Sequence, residues 1–157
     1  MIGVEKLDSI ALPLVNRFYR ENGHKGKARS NERVFVLRDR GRILAALRAC
    51  PKADGYLLRS VWVAVTSRKQ GYGSILLQQS LSQLGNSQCW CYPYSHLKLF
   101  YQLSGFQEVI PEQAPEEIAL PWQSYRGKGE NFLLMGYSPN QKKTAPNTPE
   151  ARINNTG

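Results

Sequence analysis

Between residues 7 and 18 the apolar side chains Leu7, Ile10, Leu14, Val15 and Phe18 recur at helical spacing. Asp8 or Ser9 can cap the start of such a helix, Pro13 falls near its first turn, and Asn22-Gly23 ends it. Residues 23–31 are polar, basic and glycine-containing, and read as a loop or a second short helix. Two β runs follow at 34–38 and 43–49, joined by Asp39-Arg40-Gly41-Arg42 in a hairpin pattern. Residues 51–55 turn the chain again, and 56–65 form a third strand. Apolar residues fill nearly every position late in that strand, a pattern expected where both faces are covered.

After a glycine turn, Ile75, Leu76, Leu77, Leu81 and Leu84 mark an amphipathic helix that Gly85-Asn86 stops. Residues 88–92 read as a short strand closed by Pro93. Ser95 is placed to cap a helix through Leu97, Phe100, Tyr101 and Leu103, ending at Gly105. Strands at 106–110 and 132–137 complete the sheet, separated by a long loop with three prolines and a cluster of glutamates. The order is helix, three antiparallel strands, helix, strand, helix, two strands. Such an order predicts an α+β (mixed α/β) fold, a mostly antiparallel sheet with helices on both faces, and not a doubly wound one. No internal repeat interrupts it.

Composition narrows the class. A chain of 157 residues, 41% hydrophobic and 21% charged, suits one soluble domain with a real core. Residues 1–138 are expected to form that domain, and 139–157, polar and poor in apolar residues, a flexible tail. The opening residues lack the features of a signal peptide, and no apolar stretch approaches the ~20 residues that cross a bilayer. No membrane contact is therefore expected. Three cysteines do not suggest a disulfide framework, so a reducing cytoplasm is the simplest home. The net charge of +9 favours an anionic partner. Nine Lys/Arg between residues 17 and 42 face only Glu21, Glu32 and Asp39. They are scattered over helix, loop and hairpin, which suits a solvated surface as well as a nucleic-acid patch.

The turn Arg68-Lys69-Gln70-Gly71-Tyr72-Gly73 holds the candidate chemistry, between a strand and a helix. A helix start exposes unpaired N–H groups at the positive end of the dipole and so attracts phosphate. Glycines permit unusual dihedrals and a close approach to the backbone. Arg68 and Lys69 add charge and Ser74 adds a hydroxyl donor; charge-assisted bonds of this type contribute about 1.5–3 kcal/mol each. A dinucleotide fingerprint would need a glycine where Leu76 stands, and a triphosphate loop would need Gly-Lys-Ser/Thr, which is absent.

Arg68-x-x-Gly71-x-Gly73 on this turn, with Phe100-Tyr101 and Gly105-Phe106 about one helix and one strand later, resembles the GNAT superfamily of acetyl-CoA-dependent N-acetyltransferases. The resemblance covers roughly residues 7–137, with its specific core at 56–106. It implies a GNAT-like twisted sheet with a V-shaped split between the central strands, acetyl-CoA (coenzyme A) as co-substrate, and no metal. By the same resemblance Arg68 and the amides of Lys69, Gln70, Gly71, Tyr72, Gly73 and Ser74 would hold the cofactor pyrophosphate. Val61, Trp62 and Val63 would pair through their backbone with the pantetheine arm, and Tyr101 would protonate the leaving thiolate. The chain also departs from the family. Many relatives carry a glutamate base on the third strand, where this chain offers Arg59, Ser60 and Trp62 but no carboxylate. Tyr94 stands where many have an asparagine. Water, a carboxylate from the loop after Ile110, or no dedicated base all remain open.

Other residues carry less. Cys89 and Cys91 share one face of a strand, but with His96 their spacing fits no common zinc module. His96 at a helix start is a local hydrogen-bonder, His24 sits in a basic loop, and neither is given a catalytic role. Glu112, Glu116, Glu117, Trp122, Tyr125 and Glu130, between the last two strands, would suit an amine acceptor or an exposed loop equally. The expected activity is acetyl transfer to a primary amine by direct attack in a ternary complex, since no cysteine has a recognisable activating histidine. The amine would belong to a small molecule, a peptide or protein, or an aminoacyl-tRNA. A basic nucleic-acid-binding module and a non-catalytic acyl-CoA binder are the alternatives, and a homodimer is left open.

Overall fold

The strand that opens the chain, β1 (Ile2–Leu7), precedes the first helix and corrects the expected helix-first order. It is an edge strand in which only Leu7 is buried, so its pattern lacks the apolar alternation of a half-buried strand. The computed structural model describes residues 2–139; the tail expected at 139–157 lies outside them from residue 140 onward. The chain divides into two compact units, Met1–Pro51 with Leu57–Leu84, and Lys52–Tyr56 with the residues from Gly85 onward. Its secondary structure is a mixture of helices and mostly antiparallel strands, as the element order predicts.

In the first unit the strand order is β1, β2 (Arg33–Asp39), β3 (Arg42–Lys52) and β4 (Gly55–Val63). β1 and β2 pair antiparallel with Leu7 opposite Val34 and Val4 opposite Leu37, and β2 pairs antiparallel with β3. Helix α1 (Leu12–Glu21), with Pro13 in its first turn, buries Val15, Phe18 and Tyr19 against Leu7, Val34, Val36 and Ala46. Each side chain buried in this way stabilises the fold by about 1.5–3 kcal/mol. Strand alternation sends Phe35, Leu37 and Leu47 to the other face, where all three are fully buried. Helix α2 (Tyr72–Gln83), in contact with β1 and β2 and burying Leu76, Leu77 and Leu81, supplies cover.

The late part of β4 differs from expectation. Leu57 and Leu58 are buried, but Ser60, Val61, Trp62 and Val63 are only half-buried, so the apolar run there does not mark a strand covered on both faces. An apolar strand segment left open is a place where a ligand's own chain can lie.

The second unit is built on β5 (Cys89–Cys91), β6 (Gln107–Glu108) and β7 (Met135–Tyr137), with β7 between the other two and antiparallel to both. Tyr56 donates its N–H to the Gln88 carbonyl at 2.9 Å. A side chain on the neighbouring Gly55 would collide with that same carbonyl, which accounts for the glycine. A 3-10 turn, Ser95–Leu97, leads into the short α3 (Lys98–Gln102). Ser95 does not cap it; its hydroxyl accepts from Asn131 at 3.1 Å.

The segment expected as a loop contains a helix, α4 (Glu116–Gly127), that buries Ile118 and Ala119. Pro115 and the acidic pair Glu116-Glu117 form a good helix start, while Pro121 inside the helix obscures the pattern. Glu117 accepts the Ala53 N–H at 2.8 Å, Tyr92 donates to the Ile118 carbonyl at 2.6 Å, and Trp122 donates to Phe132 at 3.0 Å. These bonds fix the helix to its unit. No helix among the described residues is long and apolar enough to cross a membrane.

Candidate active site

β4 ends at Val63, a 3-10 turn covers Val65–Ser67, and α2 begins at Tyr72. Between them Lys69 and Gly71 both adopt left-handed backbone, with φ of 66° and 82°. A lysine there is strained by about 1 kcal/mol, whereas glycine at the helix cap is not. Nothing lies within 4 Å of where a Gly71 Cβ would stand, so the glycine answers to its dihedral and to open space in front of the turn. No side chain caps α2, and its first backbone bond runs from the Ile75 N–H to the Gly71 carbonyl at 3.2 Å. The amides of Tyr72, Gly73 and Ser74 are thus left without helical acceptors. No acidic residue occupies that first turn. Lys69 and Gln70 are exposed, and the whole turn presents donors and positive charge.

Arg68 is tied back to the strand. Its Nε donates to the Val63 carbonyl at 3.1 Å, and its guanidinium lies 5.2 Å from the centre of the Trp62 ring. The turn residues and the open segment at Val61, Trp62 and Val63 are therefore brought together. Arg68 holds one of the strand's acceptor groups itself.

Behind that segment lies a polar cluster that the sequence reading left unassigned. Ser60 has φ of 56° in the middle of β4, an unusual backbone for a side chain other than glycine. Its carbonyl accepts from Tyr19 Oη at 2.9 Å, and its Oγ accepts from Arg48 Nη1 at 3.0 Å. Arg48 also donates through Nε and Nη2 to Glu32, at 2.9 and 2.6 Å, in a two-pronged pair that leaves each side chain about a tenth exposed or less. Glu32 further accepts from the Arg29 N–H at 3.0 Å and from the Cys50 thiol at 3.3 Å. His24 Nε2 lies 2.8 Å from Ser60 Oγ. Its ring is held between Tyr19 and Trp62, with centroids at 4.9 and 4.6 Å.

The electrostatics follow from this packing. Burial alone would raise the Glu32 carboxyl, but the bonds from Arg48 and the Arg29 amide outweigh it and hold the pKa below its usual value. Burial and then the Arg48 charge hold His24 below the ordinary imidazole value. Burial, with Glu32 behind it, pushes the Cys50 thiol up to about 11. The cluster at neutral pH is thus an ion pair, a hydroxyl and a neutral imidazole. One signal for it stood in the sequence: Arg48 is a lone charge inside the otherwise apolar run of β3.

Tyr101 belongs to the second unit. It is 6% exposed, packed edge-on against Phe100 and Phe106, and its carbonyl accepts from the Phe106 N–H at 3.1 Å. Burial, followed by the neighbouring Cys91, raises its phenol pKa, so the proton stays on the oxygen. Cys89 and Cys91 are free thiols in a fully buried strand, and burial pushes Cys89 up to about 12. His96 stacks on Tyr94. Among the described residues no group of three His, Cys, Asp or Glu is placed to hold a metal ion.

Known proteins supply the family. N-acetylglutamate synthase from Neisseria gonorrhoeae, solved with coenzyme A and N-acetyl-glutamate, superposes at a TM-score of 0.66 with 18% identity. The match covers 88% of this chain and 35% of that one, so the chain spans about a third of that protein. The ribosomal-protein-S18-alanine N-acetyltransferase from Escherichia coli matches at 0.64 with 16% identity, over 88% of this chain and 94% of its own. An acyl-CoA N-acyltransferase from Pseudomonas aeruginosa matches at 0.56 with 15% identity, over 88% and 99%. At such identities these likenesses establish the fold alone. No curated protein matches the chain significantly. The model of the acetyltransferase (GNAT) domain matches residues 30–108, from just ahead of β2 through β6, and on that match the chain belongs to the GNAT acetyltransferase family.

Proposed function

We propose that this chain moves an acetyl group from acetyl-CoA to a primary amine by direct attack in a ternary complex. The observation that carries the reading is the turn opening α2, where two left-handed residues, an uncapped first turn and two adjacent cations form a receptor for a pyrophosphate. The amides of Lys69, Gln70, Gly71, Tyr72, Gly73 and Ser74 bind the phosphates, and Arg68 adds charge beside them. The half-buried backbone of Val61, Trp62 and Val63 takes the pantetheine arm by strand-like pairing. Bound there, acetyl-CoA supplies a thioester, whose carbonyl is the electrophile. Tyr101 keeps its proton until the sulfur leaves, and then donates it. A solved relative in complex with coenzyme A supports this choice of co-substrate. A reducing cytoplasm suits the three free thiols.

Two measurements test the proposal together. Calorimetry should show coenzyme A binding to the native protein. A thiol-release assay with acetyl-CoA, run against small amines, peptides and charged tRNA, should show turnover with at least one of them. Binding without turnover on any amine would reduce the chain to an acyl-CoA binder, and absence of binding would overturn the cofactor assignment.

A further inference from the structure

β4 carries no carboxylate, so the group that accepts the amine's proton must come from elsewhere. We infer that Ser60 and His24 form that acceptor as a pair, with Ser60 Oγ at the amine and His24 Nε2 behind it. The inference rests on the acetyl transfer proposed above.

Arg48 fixes the direction of one hydrogen bond at Ser60, and the pair assigns the other from Ser60 to His24. A guanidinium only donates, and its Nε and Nη2 are committed to Glu32 while Nη1 reaches Ser60 Oγ. Ser60 therefore accepts from Arg48, and its own hydrogen is free for the neighbour at 2.8 Å, His24 Nε2. That order requires a neutral His24 with its proton on Nδ1 and a lone pair on Nε2. The Arg48 charge, 3.0 Å away, also favours negative charge developing on Ser60 Oγ.

The surroundings hold this geometry in place. The left-handed backbone of Ser60 sits in the half-buried part of β4, and Tyr19 binds its carbonyl. Trp62 and Tyr19 flank the imidazole, and Trp62 is itself anchored by its Nε1 bond to the Asn22 carbonyl at 2.7 Å. Gly26 passes directly over the pair. A Cβ on it would collide with His24 Nε2 and stand 2.6 Å from Ser60 Oγ, so only glycine lets the loop lie there. Asn16 clamps the same loop by accepting the Ala28 N–H at 2.8 Å. The groups facing His24 are thus Tyr19 from α1, Ser60 and Trp62 from β4, and Arg48 from β3, with Glu32 and Cys50 behind Arg48. Burial and the Arg48 charge keep the imidazole neutral at pH 7.

The step balances as follows. The amine nitrogen bonds to the thioester carbonyl carbon and gives a proton to Ser60 Oγ, while Ser60 passes its own hydroxyl proton to His24 Nε2. The carbon–sulfur bond breaks, the sulfur leaves with the electron pair, and Tyr101 protonates it. His24 then returns its proton to water and Tyr101 recovers one. Amine and thioester become amide and thiol.

The test uses the full chain and has two arms. Long-range proton–nitrogen NMR on protein with labelled histidine, assigned through His24→Gln, should find neutral His24 protonated on Nδ1. A proton on Nε2 would overturn the inference, because His24 would then donate to Ser60. In the second arm benzylamine is the acceptor with saturating acetyl-CoA. His24→Gln and Ser60→Ala should each lower kcat/KM by about 10²-fold and abolish the acid limb of its pH profile, with coenzyme A affinity unchanged. An unaltered acid limb in both variants would overturn the pair even if the rate fell. Loss of coenzyme A binding by the native protein would defeat the proposed function instead, and the tautomer measurement reads the pair independently of it.

Discussion

The turn at 68–74 and the cluster around Ser60 are both polar and both adjoin the open half of β4, yet they are constructed differently. The turn is one contiguous stretch whose useful groups are mostly backbone amides, exposed by two left-handed residues and an uncapped helix. The cluster is made of side chains from four places: His24 and Glu32 from the segments flanking Ala28, Arg48 from β3 and Ser60 from β4. It is partly buried, and each member satisfies another. A site of the first type can lose function without losing the fold. A site of the second type is tied to the fold through its ion pair, because removing Arg48 or Glu32 leaves a charged partner unpaired in the interior.

The sharpest separation should come from Arg48→Met. It strands the Glu32 carboxylate, whose side chain is 5% exposed, and should cost roughly 3–5 kcal/mol of stability in chemical denaturation. Adding Glu32→Gln should restore a large part of that loss; a double variant no more stable than the single one would contradict the ion-pair account. Next in size is Tyr101→Phe, which keeps the packed ring and removes only the hydroxyl. Turnover should fall about 10²-fold with melting temperature and coenzyme A affinity nearly unchanged. Equal turnover, measured where chemistry limits the rate, would remove Tyr101 from the mechanism.

Gly71→Val tests the other side of the contrast. It forces a β-branched residue into left-handed backbone and fills the open space ahead of the turn. Calorimetry should show coenzyme A affinity reduced by at least about tenfold, or about 1.4 kcal/mol. A protein that loses stability instead of affinity would erase the distinction between the two regions. The smallest effect is the dependence of stability on pH. His24 is held below its ordinary pKa, so as pH falls past about 6.5 the unfolded chain takes up a proton that the folded one resists. Stability is fully present above that point and declines below it. Glu32, held low by Arg48, adds a second loss as pH falls below its own ordinary range. Melting temperature followed from pH 7.5 to 5.5 should decline in the native protein and flatten in His24→Gln. Identical slopes would show that His24 does not titrate as placed.

The same contrast explains what could be read from the sequence. The phosphate turn was legible because its chemistry is local, with glycines, cations and a helix start within seven residues. The cluster was not, since Glu32 and Arg48 are 16 residues apart, Arg48 and Ser60 are 12 apart, and His24 and Ser60 are 36 apart. Only strand pairing and the packing of α1 bring them together. The basic loop around His24 gives no sign of a catalytic role in the sequence, whereas Tyr19 and Trp62 enclose its ring. α4 was missed for a different reason. Pro111, Pro115 and Pro121 read as breakers, although Pro115 precedes a helix start and Pro121 is tolerated inside. β1 was missed because an edge strand needs little apolar pattern of its own.

The three cysteines, 9%, 0% and 2% exposed at Cys50, Cys89 and Cys91, can report on how the molecule opens. Neither access nor thiolate is available to a thiol-reactive label in the native state, since burial raises the pKa of all three. Each therefore becomes reactive only when its surroundings open. Cys50 lies in the first unit, and Cys89 and Cys91 lie in the second. Labelling followed site by site in mass spectrometry would act as a pair of clocks, one per unit. A common rate would mean that the two open as a single cooperative body. Separate rates would identify the half of the molecule that yields first.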